Sequence, residues 1–304
     1  MLPEPIQVFE RGWLSCNNVL LRGGAGAALI DSSYVAHAPQ TLALVAHALA
    51  GAPLAHLVNT HCHSDHMGGN RALRDAYGCR TTIPAGEAPL IDAWDQHALI
   101  LEFADQRAER FGYDDTLSAG AVVRLGDLDW QVLAAPGHDP HAVMFHCPDE
   151  RVLVSGDALW EDGFGVIFPA LFDRPEAFAE TRTTLDSIAR LDVRTVIPGH
   201  GRVFSDVGGA LERAYRRLES YEQDPVRLAR HCAKVMIVFA LLDKQRMSVA
   251  SLPRYCEQVG ILRELNARYL RLTPQGLAAW LLADLERANA LARAGGDIVP
   301  LARA

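Results

Sequence analysis

Four potential metal ligands, His61, His63, Asp65 and His66, lie within six residues of one another. Imidazole nitrogens and carboxylate oxygens suit zinc and the neighbouring first-row metals, and such density is typical of side chains that converge on one small volume. An apolar run at residues 54–58 leads into this segment, and two glycines at 68–69 let the backbone turn away after it. A solvated run of histidines would need neither the apolar run before it nor the glycines after it, so the pattern predicts a metal site.

Three later positions repeat this arrangement more sparsely. His138, Asp157 and His200 each follow a glycine at the end of an apolar, β-prone stretch. A single His or Asp at such a place is usually a turn or cap residue. Taken with the first segment, however, the three positions indicate further ligands presented by loops at strand ends.

In this order the motifs HxHxDH, Gly-His, Gly-Asp and Gly-His resemble those of the metallo-β-lactamase superfamily, over about residues 5–222. The resemblance implies a four-layer αββα sandwich, an α+β fold, with the site along one edge of two packed sheets. It assigns one metal to His61, His63 and His138. It assigns a second metal to Asp65, His66 and His200, with Asp157 as the bridging carboxylate. Because no position of the set is missing, two zinc ions are expected, with iron or manganese as alternatives.

The chemistry of such a centre follows from general principles. Two divalent cations that share a carboxylate and a water would lower the pKa of that water toward ~7 and polarise a carbonyl oxygen. Hydrolysis then needs no serine or cysteine nucleophile. We expect Asp157 to bridge the ions and Asp65 to ligate one of them and to accept a proton as general base.

The whole chain has the composition of an ordinary globular enzyme. Its 304 residues, 49% of them hydrophobic, are enough for one large or two modest domains. The sequence opens without a basic segment followed by an apolar one, and no stretch approaches the ~20 apolar residues of a membrane span. We therefore expect a cytoplasmic protein without a membrane partner.

The six cysteines form no CxxC pair and no dense framework, which favours reduced thiols over disulfides. Cys62 lies between two ligands. Because alternate side chains of an extended loop face opposite ways, we expect it to point away from the metals.

Hydrophobic periodicity predicts short strands and helices in both halves of the catalytic part. Strands are predicted at residues 6–9, 18–21 and 27–30, with a hairpin turn at 23–24, then a helix at 39–50. The second half repeats the pattern, with strands at 122–125, 130–134, 142–147, 152–154 and 195–197 and a helix at 175–189.

Two stretches are candidates for the substrate pocket. Residues 85–116 have apolar side chains spaced for one or two amphipathic helices, and we interpret them as a helical lid in which Trp94 and Phe103 contact substrate. After Asp157, the aromatic residues Trp160 and Phe164 are further pocket-wall candidates. Ordinary core packing remains the alternative for all four. Trp160 occupies the place of a tyrosine found in the resembled acyl-homoserine lactonases, and its indole has no acid or base hydroxyl, which disfavours a lactonase.

A boundary is predicted near Gln223-Asp224-Pro225, between a catalytic domain at 1–223 and a small, mainly helical domain at 224–304. Residues 225–304 carry twelve Lys and Arg against six Asp and Glu, a net charge of +6. Because the whole chain has a net charge of −8, the preceding residues have a net charge of −14. Helices are predicted at 235–242, 252–259 and 277–291, and residues 269–276 resemble the strand and turn of a winged helix. Because the arginines are dispersed, the pattern favours a rim element or a homodimer contact over nucleic-acid binding.

The function predicted from these features is a dinuclear metal-dependent hydrolase acting on a small carbonyl substrate. Thioesters of the hydroxyacyl-glutathione or acyl-CoA type rank ahead of lactones and β-lactams. The alternatives are a lactonase or phosphodiesterase on the same centre, and a regulatory or nucleic-acid-binding protein that reuses the fold. Persulfide dioxygenases resemble this chain in the first motif but use one iron, and flavodiiron proteins usually have Glu at the place of His63.

Overall fold

The computed structural model describes residues 2–169, 171 and 174–301. Its first sheet has six strands, which neighbour one another in chain order: β1 (Ile6–Phe9), β2 (Asn18–Leu21), β3 (Ala27–Ile30), β4 (Leu54–Val58), β5 (Arg80–Pro84) and β6 (Asp115–Leu117). The first three strands pair antiparallel, with β2 and β3 forming the predicted hairpin, and β3 to β6 pair parallel. The parallel strands therefore end at one common edge.

The second sheet contains five strands from the following part of the chain: β7 (Val122–Leu125), β8 (Leu128–Ala134), β9 (Val143–Cys147), β10 (Val152–Gly156) and β11 (Thr195–Pro198). They lie in the order β11-β10-β9-β8-β7, and only the β10–β11 pair is parallel. The strands of both sheets predicted from periodicity lie within two residues of the predicted bounds.

The inner faces of the two sheets form one apolar core. Ile30 and Val58 of the first sheet pack there with Trp130, Phe145 and Ile197 of the second, all five essentially inaccessible to solvent. Burial of this area supplies the main force that holds the sheets face to face.

Helices cover both outer faces. The first sheet is covered by α1 (Ala38–Leu49) and α3 (Asn70–Tyr77), whose Val45, Leu49 and Leu73 pack on Leu29 and Leu57. A single turn, α2 (Ser64–Met67), precedes α3, and α5 (Ala177–Ala189) and α6 (Val207–Gln223) cover the second sheet. This confirms the predicted αββα sandwich.

The segment at 85–116 is less helical than predicted. It contains a 3-10 turn at Ala85–Glu87, the short helix α4 (Ala88–Ala93) and another 3-10 turn at Glu102–Ala104. Trp94 ends α4 with a φ of 52°, a left-handed conformation that stops the helix after two turns. The role of this segment as a lid remains a prediction.

The C-terminal region, residues 225–301, is mainly helical, as predicted. It contains α7 (Pro225–Lys244), α8 (Leu252–Gln258), α9 (Gly260–Leu265), a π-helical turn (Asn266–Leu270) and α10 (Pro274–Arg287). A small sheet joins β12 (Met247–Ser248), β14 (Asp297–Pro300) and β13 (Leu291–Ala294). Asp224 separates α6 from α7 and caps the latter, since its Oδ1 accepts a hydrogen bond from the Arg227 amide at 2.9 Å.

Two local predictions for this region are wrong. Residues 269–276 form the end of the π-helical turn and the start of α10, not a strand and turn. The helix predicted to run to residue 291 ends at Arg287, and a hairpin with a turn at Gly295-Gly296 follows it. Within the described residues, no helix is both long and apolar enough to cross a membrane.

Candidate metal centre

The candidate ligands lie on loops that follow strands of both sheets. His61 and His63 come just after β4, and Asp65 and His66 belong to the single turn α2. The other three follow strands of the second sheet: His138 after β8, Asp157 after β10 and His200 after β11. The sandwich therefore brings the loops of β4, β10 and β11 and the β8–β9 connection to one edge.

The first group of ligands is all histidine. One donor atom each from His61, His63 and His138 lies within 4.8 Å of the others. Nδ1 of His63 is 2.8 Å from Nε2 of His138, although the two residues are far apart in the chain. We call these three residues the first triad.

The second group contains a carboxylate. Donor atoms of Asp65, His66 and His200 also lie within 4.8 Å of one another, and Nε2 of His200 is 3.0 Å from Oδ2 of Asp65. We call these residues the second triad. Its two histidines are almost completely buried, whereas the Asp65 side chain is 14% exposed, so one side of the group is open to solvent.

Asp157 lies between the two triads. Its Oδ2 is 3.3 Å from Nε2 of His138, and its Oδ1 is 3.4 Å from Nε2 of His66. Each carboxylate oxygen thus faces a different triad, which is the placement that a bridging ligand requires.

Outer hydrogen bonds orient the ligand rings. Nδ1 of His138 donates to the carbonyl oxygen of Val166 at 2.5 Å, and Nδ1 of His66 donates to Oδ2 of Asp31 at 2.9 Å. Asp31 also accepts the amide and hydroxyl hydrogens of Thr60, both at 2.8 Å. With Nδ1 engaged in this way, Nε2 of each ring faces the cluster.

The buried ring nitrogens provide a test of whether a metal suits this site. Nε2 of His61 and Nε2 of His66 are buried, and neither has a hydrogen-bond partner. Buried polar atoms normally have a hydrogen-bond partner, and an imidazole nitrogen without one is a preferred ligand position for zinc and its neighbours. The donor set therefore fits divalent metal ions.

Glycines allow the loops to approach this closely. A Cβ atom on Gly199 would lie 2.2 Å from Oδ1 of Asp157, and one on Gly165 would lie 2.8 Å from both Asp157 and His138. Neither position has room for a side chain without displacing a candidate ligand.

Comparison with known proteins agrees with this geometry. The family model of the metallo-beta-lactamase superfamily matches residues 11–200, which is more than half of the chain. The chain belongs to the metallo-beta-lactamase superfamily. The match ends at His200, so it includes all seven candidate ligands and leaves the C-terminal region outside.

Similar proteins include hydroxyacylglutathione hydrolases. That of Hyphomonas neptunium is 34% identical over 110 residues, covering 36% of each chain, and that of Rhizobium etli is 30% identical over 162 residues, covering 53% of this chain and 54% of its own. The chain thus matches between a third and just over half of the length of these curated relatives. The crystal structure of a metallo-beta-lactamase family protein from Thermus thermophilus superposes with a TM-score of 0.61 at 19% identity, covering 98% of this chain and 99% of that one. This likeness extends the shared fold through the C-terminal region.

Electrostatics of this metallo-beta-lactamase site keep its carboxylate charged and two of its imidazoles neutral. Burial opposes ionisation of Asp157, but the neighbouring His66 and His200 outweigh it and hold the pKa of the carboxyl well below its usual range. Burial lowers the pKa of His61 far below its usual value, and burial together with His138 lowers that of His63 to about 4. Neutral imidazoles and a charged carboxylate are the forms that bind metal.

The four predicted pocket residues are distributed unevenly. Trp160 lies at the site, where its Nε1 donates to Oδ1 of Asp157 at 3.2 Å. Phe164 is buried beneath the same loop. Trp94 packs edge to face on Phe111, and Phe103 packs on the backbone of Gly260 and the ring of His97. The contacts described for Trp94 and Phe103 thus lie in the 85–116 segment and the C-terminal region, not among the ligands.

Sequence reasoning missed several residues behind the ligands. Asp31 follows the apolar strand β3, as the ligands follow other strands, but no glycine precedes it. Asp139 directly follows His138, and its Oδ2 lies 3.7 Å from Nε2 of His63. Glu87 is buried next to Asp139, and burial followed by that neighbour raises the pKa of Glu87 well above its usual range. No local sequence signal indicates Glu87.

Proposed function

We propose that this chain is a dinuclear metal-dependent hydrolase that cleaves a small thioester. The observation that carries the proposal is the placement of Asp157 between two triads of metal-binding side chains. We assign one ion to the first triad and one to the second, with Asp157 shared between them. Zinc is the expected metal, with iron or manganese as alternatives.

Divalent ions held there would supply Lewis acidity toward a carbonyl oxygen and a water of lowered pKa. Asp65 is the proposed proton acceptor. Its Oδ2 lies 3.0 Å from Nε2 of His200, so the carboxylate is oriented toward the second triad, and its side chain is accessible enough to meet a water molecule. A general base needs this combination of orientation and reach.

Trp160 and Asp31 are proposed to hold ligands in place. The Trp160 indole donates to Oδ1 of Asp157 and restrains the rotation of the carboxylate. Asp31 fixes the ring of His66 through Nδ1 and is itself fixed by two hydrogen bonds from Thr60. Such outer groups commonly govern metal affinity.

The side chains around the cluster support water, and not a protein group, as the nucleophile. Cys62 and Cys16 are buried, and burial raises the pKa of Cys62 well above its usual range and that of Cys16 to about 11. Thiols of this kind stay protonated at neutral pH and are poor nucleophiles. Ser64, also buried, donates its hydroxyl hydrogen to Gln106.

The proposed substrate class follows from two arguments. The relatives that match this chain are hydroxyacylglutathione hydrolases, which by their name act on a thioester. Trp160 stands where the acyl-homoserine lactonases of the resembled superfamily have a tyrosine hydroxyl, so lactones are less favoured than thioesters. Phosphodiesters and β-lactams are the remaining alternatives for such a centre.

The C-terminal region, 224–304, is proposed to be a second domain that packs on the catalytic part and braces the 85–116 segment beside the site. Arg107 pairs with Asp243 at 2.5 Å, and the hydroxyl of Tyr255 donates to Asp105 at 2.8 Å. This bracing role and a homodimer contact are favoured over nucleic-acid binding. A gel-shift assay with duplex DNA tests the alternative, since binding through Lys and Arg would weaken steeply with salt.

Metal analysis and a substrate panel test the central proposal. Protein purified without added metal should contain close to two first-row metal ions per chain by elemental analysis. It should hydrolyse S-lactoylglutathione or an acyl-CoA with a higher kcat/KM than a lactone, a β-lactam or a phosphodiester. One tightly held iron, together with oxygen consumption on a persulfide, would overturn the hydrolase proposal.

A further inference from the structure

An exposed tryptophan lies beside the second triad. Trp13 belongs to the loop between β1 and β2, and that loop is bonded to two ligand loops. The amide of Cys16 donates to the carbonyl oxygen of Asp65 at 3.1 Å, and the amide of Asn17 donates to that of Gly199 at 2.6 Å. These hydrogen bonds fix the loop that carries Trp13 relative to the ligand loops.

The ring of Trp13 is part of an aromatic arrangement around His200. It lies nearly parallel to the His200 imidazole, with centroids 5.6 Å apart and an interplanar angle of 6°. Trp160 meets Trp13 edge-on at 5.5 Å and His200 edge-on at 5.2 Å. We call Trp13 and Trp160 the aromatic corner.

Solvent reaches much of this corner. Trp13 is 50% exposed, and it is the only aromatic residue among the exposed large apolar side chains of the described residues. One face of the Trp13 indole packs on the His200 ring. The rest of the indole is a rigid, flat surface next to the opening at Asp65. Exposed aromatic surface at the mouth of a site gains free energy when a ligand covers it.

We propose that the aromatic corner binds a planar aromatic group of the substrate, close to the carbonyl that is attacked. The inference rests on the proposed hydrolase function and narrows its substrate class to thioesters with an aryl-bearing acyl group. Two indoles at a steep angle present one face and one edge, so an aryl ring can stack on Trp13 while it meets the edge of Trp160. A saturated ring of equal size gains only from apolar burial.

Calorimetric binding of three carboxylates to the metal-loaded protein tests this inference. Phenylacetate, cyclohexylacetate and lactate carry the same carboxylate and correspond to the acids that thioester hydrolysis would release. Phenylacetate should bind roughly tenfold more tightly than lactate and several-fold more tightly than cyclohexylacetate, as expected for one aromatic contact. In Trp13→Ala the preference over lactate should fall at least ~5-fold and the preference over cyclohexylacetate should disappear, whereas Trp13→Phe should retain most of both.

Elemental analysis of each variant ensures that the metal content matches that of the wild type. Val122→Ala, which shortens another exposed apolar side chain on the second sheet, should leave all three affinities unchanged. Equal affinities for phenylacetate and lactate in the wild type would overturn the inference. So would a phenylacetate preference that survives Trp13→Ala.

Binding and turnover separate this inference from the proposed function. Hydrolysis of S-phenylacetylglutathione and S-lactoylglutathione is measured alongside the affinities. If the aromatic preference appears but neither thioester is cleaved, the thioesterase proposal fails and the aromatic corner stands. If both are cleaved at equal kcat/KM and the carboxylates bind equally, the hydrolase stands and the aromatic corner fails.

Discussion

The metal-centre edge and the C-terminal region bury side chains of opposite kinds. At the edge, His61 and His66 are completely buried imidazoles whose Nε2 atoms lack a hydrogen-bond partner. In the C-terminal region, the buried side chains are almost all apolar, and Leu241, Ile261 and Leu281 are inaccessible to solvent. One region buries groups that would interact well with water, and the other buries groups that would not.

This difference separates function from stability within one chain. Burying polar rings and carboxylates costs free energy unless partners compensate for the lost water, so the edge is arranged for chemistry at the expense of stability. Apolar burial contributes about 25 cal/mol per Å² of area removed from water, so the C-terminal core stabilises the fold. The core that contains Leu281 is continuous with residues of the second sheet such as Leu153 and Val196, so this stabilisation reaches the catalytic part.

The largest expected effect on stability comes from the C-terminal core. Leu281→Ala should lower the free energy of unfolding by about 2–5 kcal/mol, because it leaves a cavity among fully buried neighbours. Denaturant unfolding measures the change, and kcat/KM of the folded variant should stay near the wild-type value. Leu272→Ala, at a residue 40% exposed, is the matched control and should cost well under about 1 kcal/mol. Equal losses in both variants would contradict the assignment of Leu281 to a stabilising core.

The largest expected effect on activity comes from the shared carboxylate. Asp157→Ala should lower kcat by at least ~10²-fold and release part of the bound metal, because both triads lose their common ligand. Steady-state kinetics and elemental analysis report the two losses. Asp162→Ala, whose carboxylate is 83% exposed, removes the same charge nearby and should have little effect. Wild-type turnover in Asp157→Ala would remove this residue from the site.

A smaller loss is expected from the group behind His66. Asp31→Asn keeps the shape but removes the charge that faces Nδ1 of His66, and metal affinity should weaken about 10–100-fold. A competition titration with a chelator measures this affinity in the wild type and the variant. Asp75→Asn, an exposed aspartate on α3, is the control. An unchanged affinity would mean that Asp31 serves folding and not the metal centre.

The effect that is smallest at neutral pH, and that grows only as the pH falls, concerns the partly buried His231 in the C-terminal region. Burial, then Arg217 and Lys234, lower its pKa to about 4. In the unfolded chain the pKa of His231 is about 6.5. Between about pH 6.5 and about pH 4 this histidine is therefore protonated in the unfolded chain but not in the folded one, so the free energy of unfolding decreases as the pH falls through this range. His231→Phe should reduce that slope by at most about 1.4 kcal/mol per pH unit. Urea unfolding at several pH values measures it, and wild-type and variant curves that stay parallel below pH ~6.5 would contradict the prediction.

Residue types and local spacing predicted most strands of the two sheets, but not β5, β6, α3 or α6, and the sandwich itself was expected only from the family resemblance. The strands β1, β2 and β3 follow the predicted bounds because alternating or apolar runs between glycine turns leave few other conformations. Local pattern failed where propensity and tertiary pairing conflict. Residues 291–294, Leu-Ala-Arg-Ala in sequence, favour a helix by composition, but pairing with β14 across the Gly295-Gly296 turn makes them a strand.

By itself, the sequence determined which side chains are candidate ligands, because each signal is local: four ligands within six residues after an apolar run, and a glycine followed by His or Asp at the end of three later strands. Only the tertiary structure decided which of them meet. His63 and His138 come together because β4 and the β8–β9 loop share an edge, and Asp31 reaches His66 because β3 and β4 pair in parallel. The stacking of Trp13 on His200 likewise depends on how the two sheets pack, since no short-range pattern encodes a contact between residues so far apart in the chain.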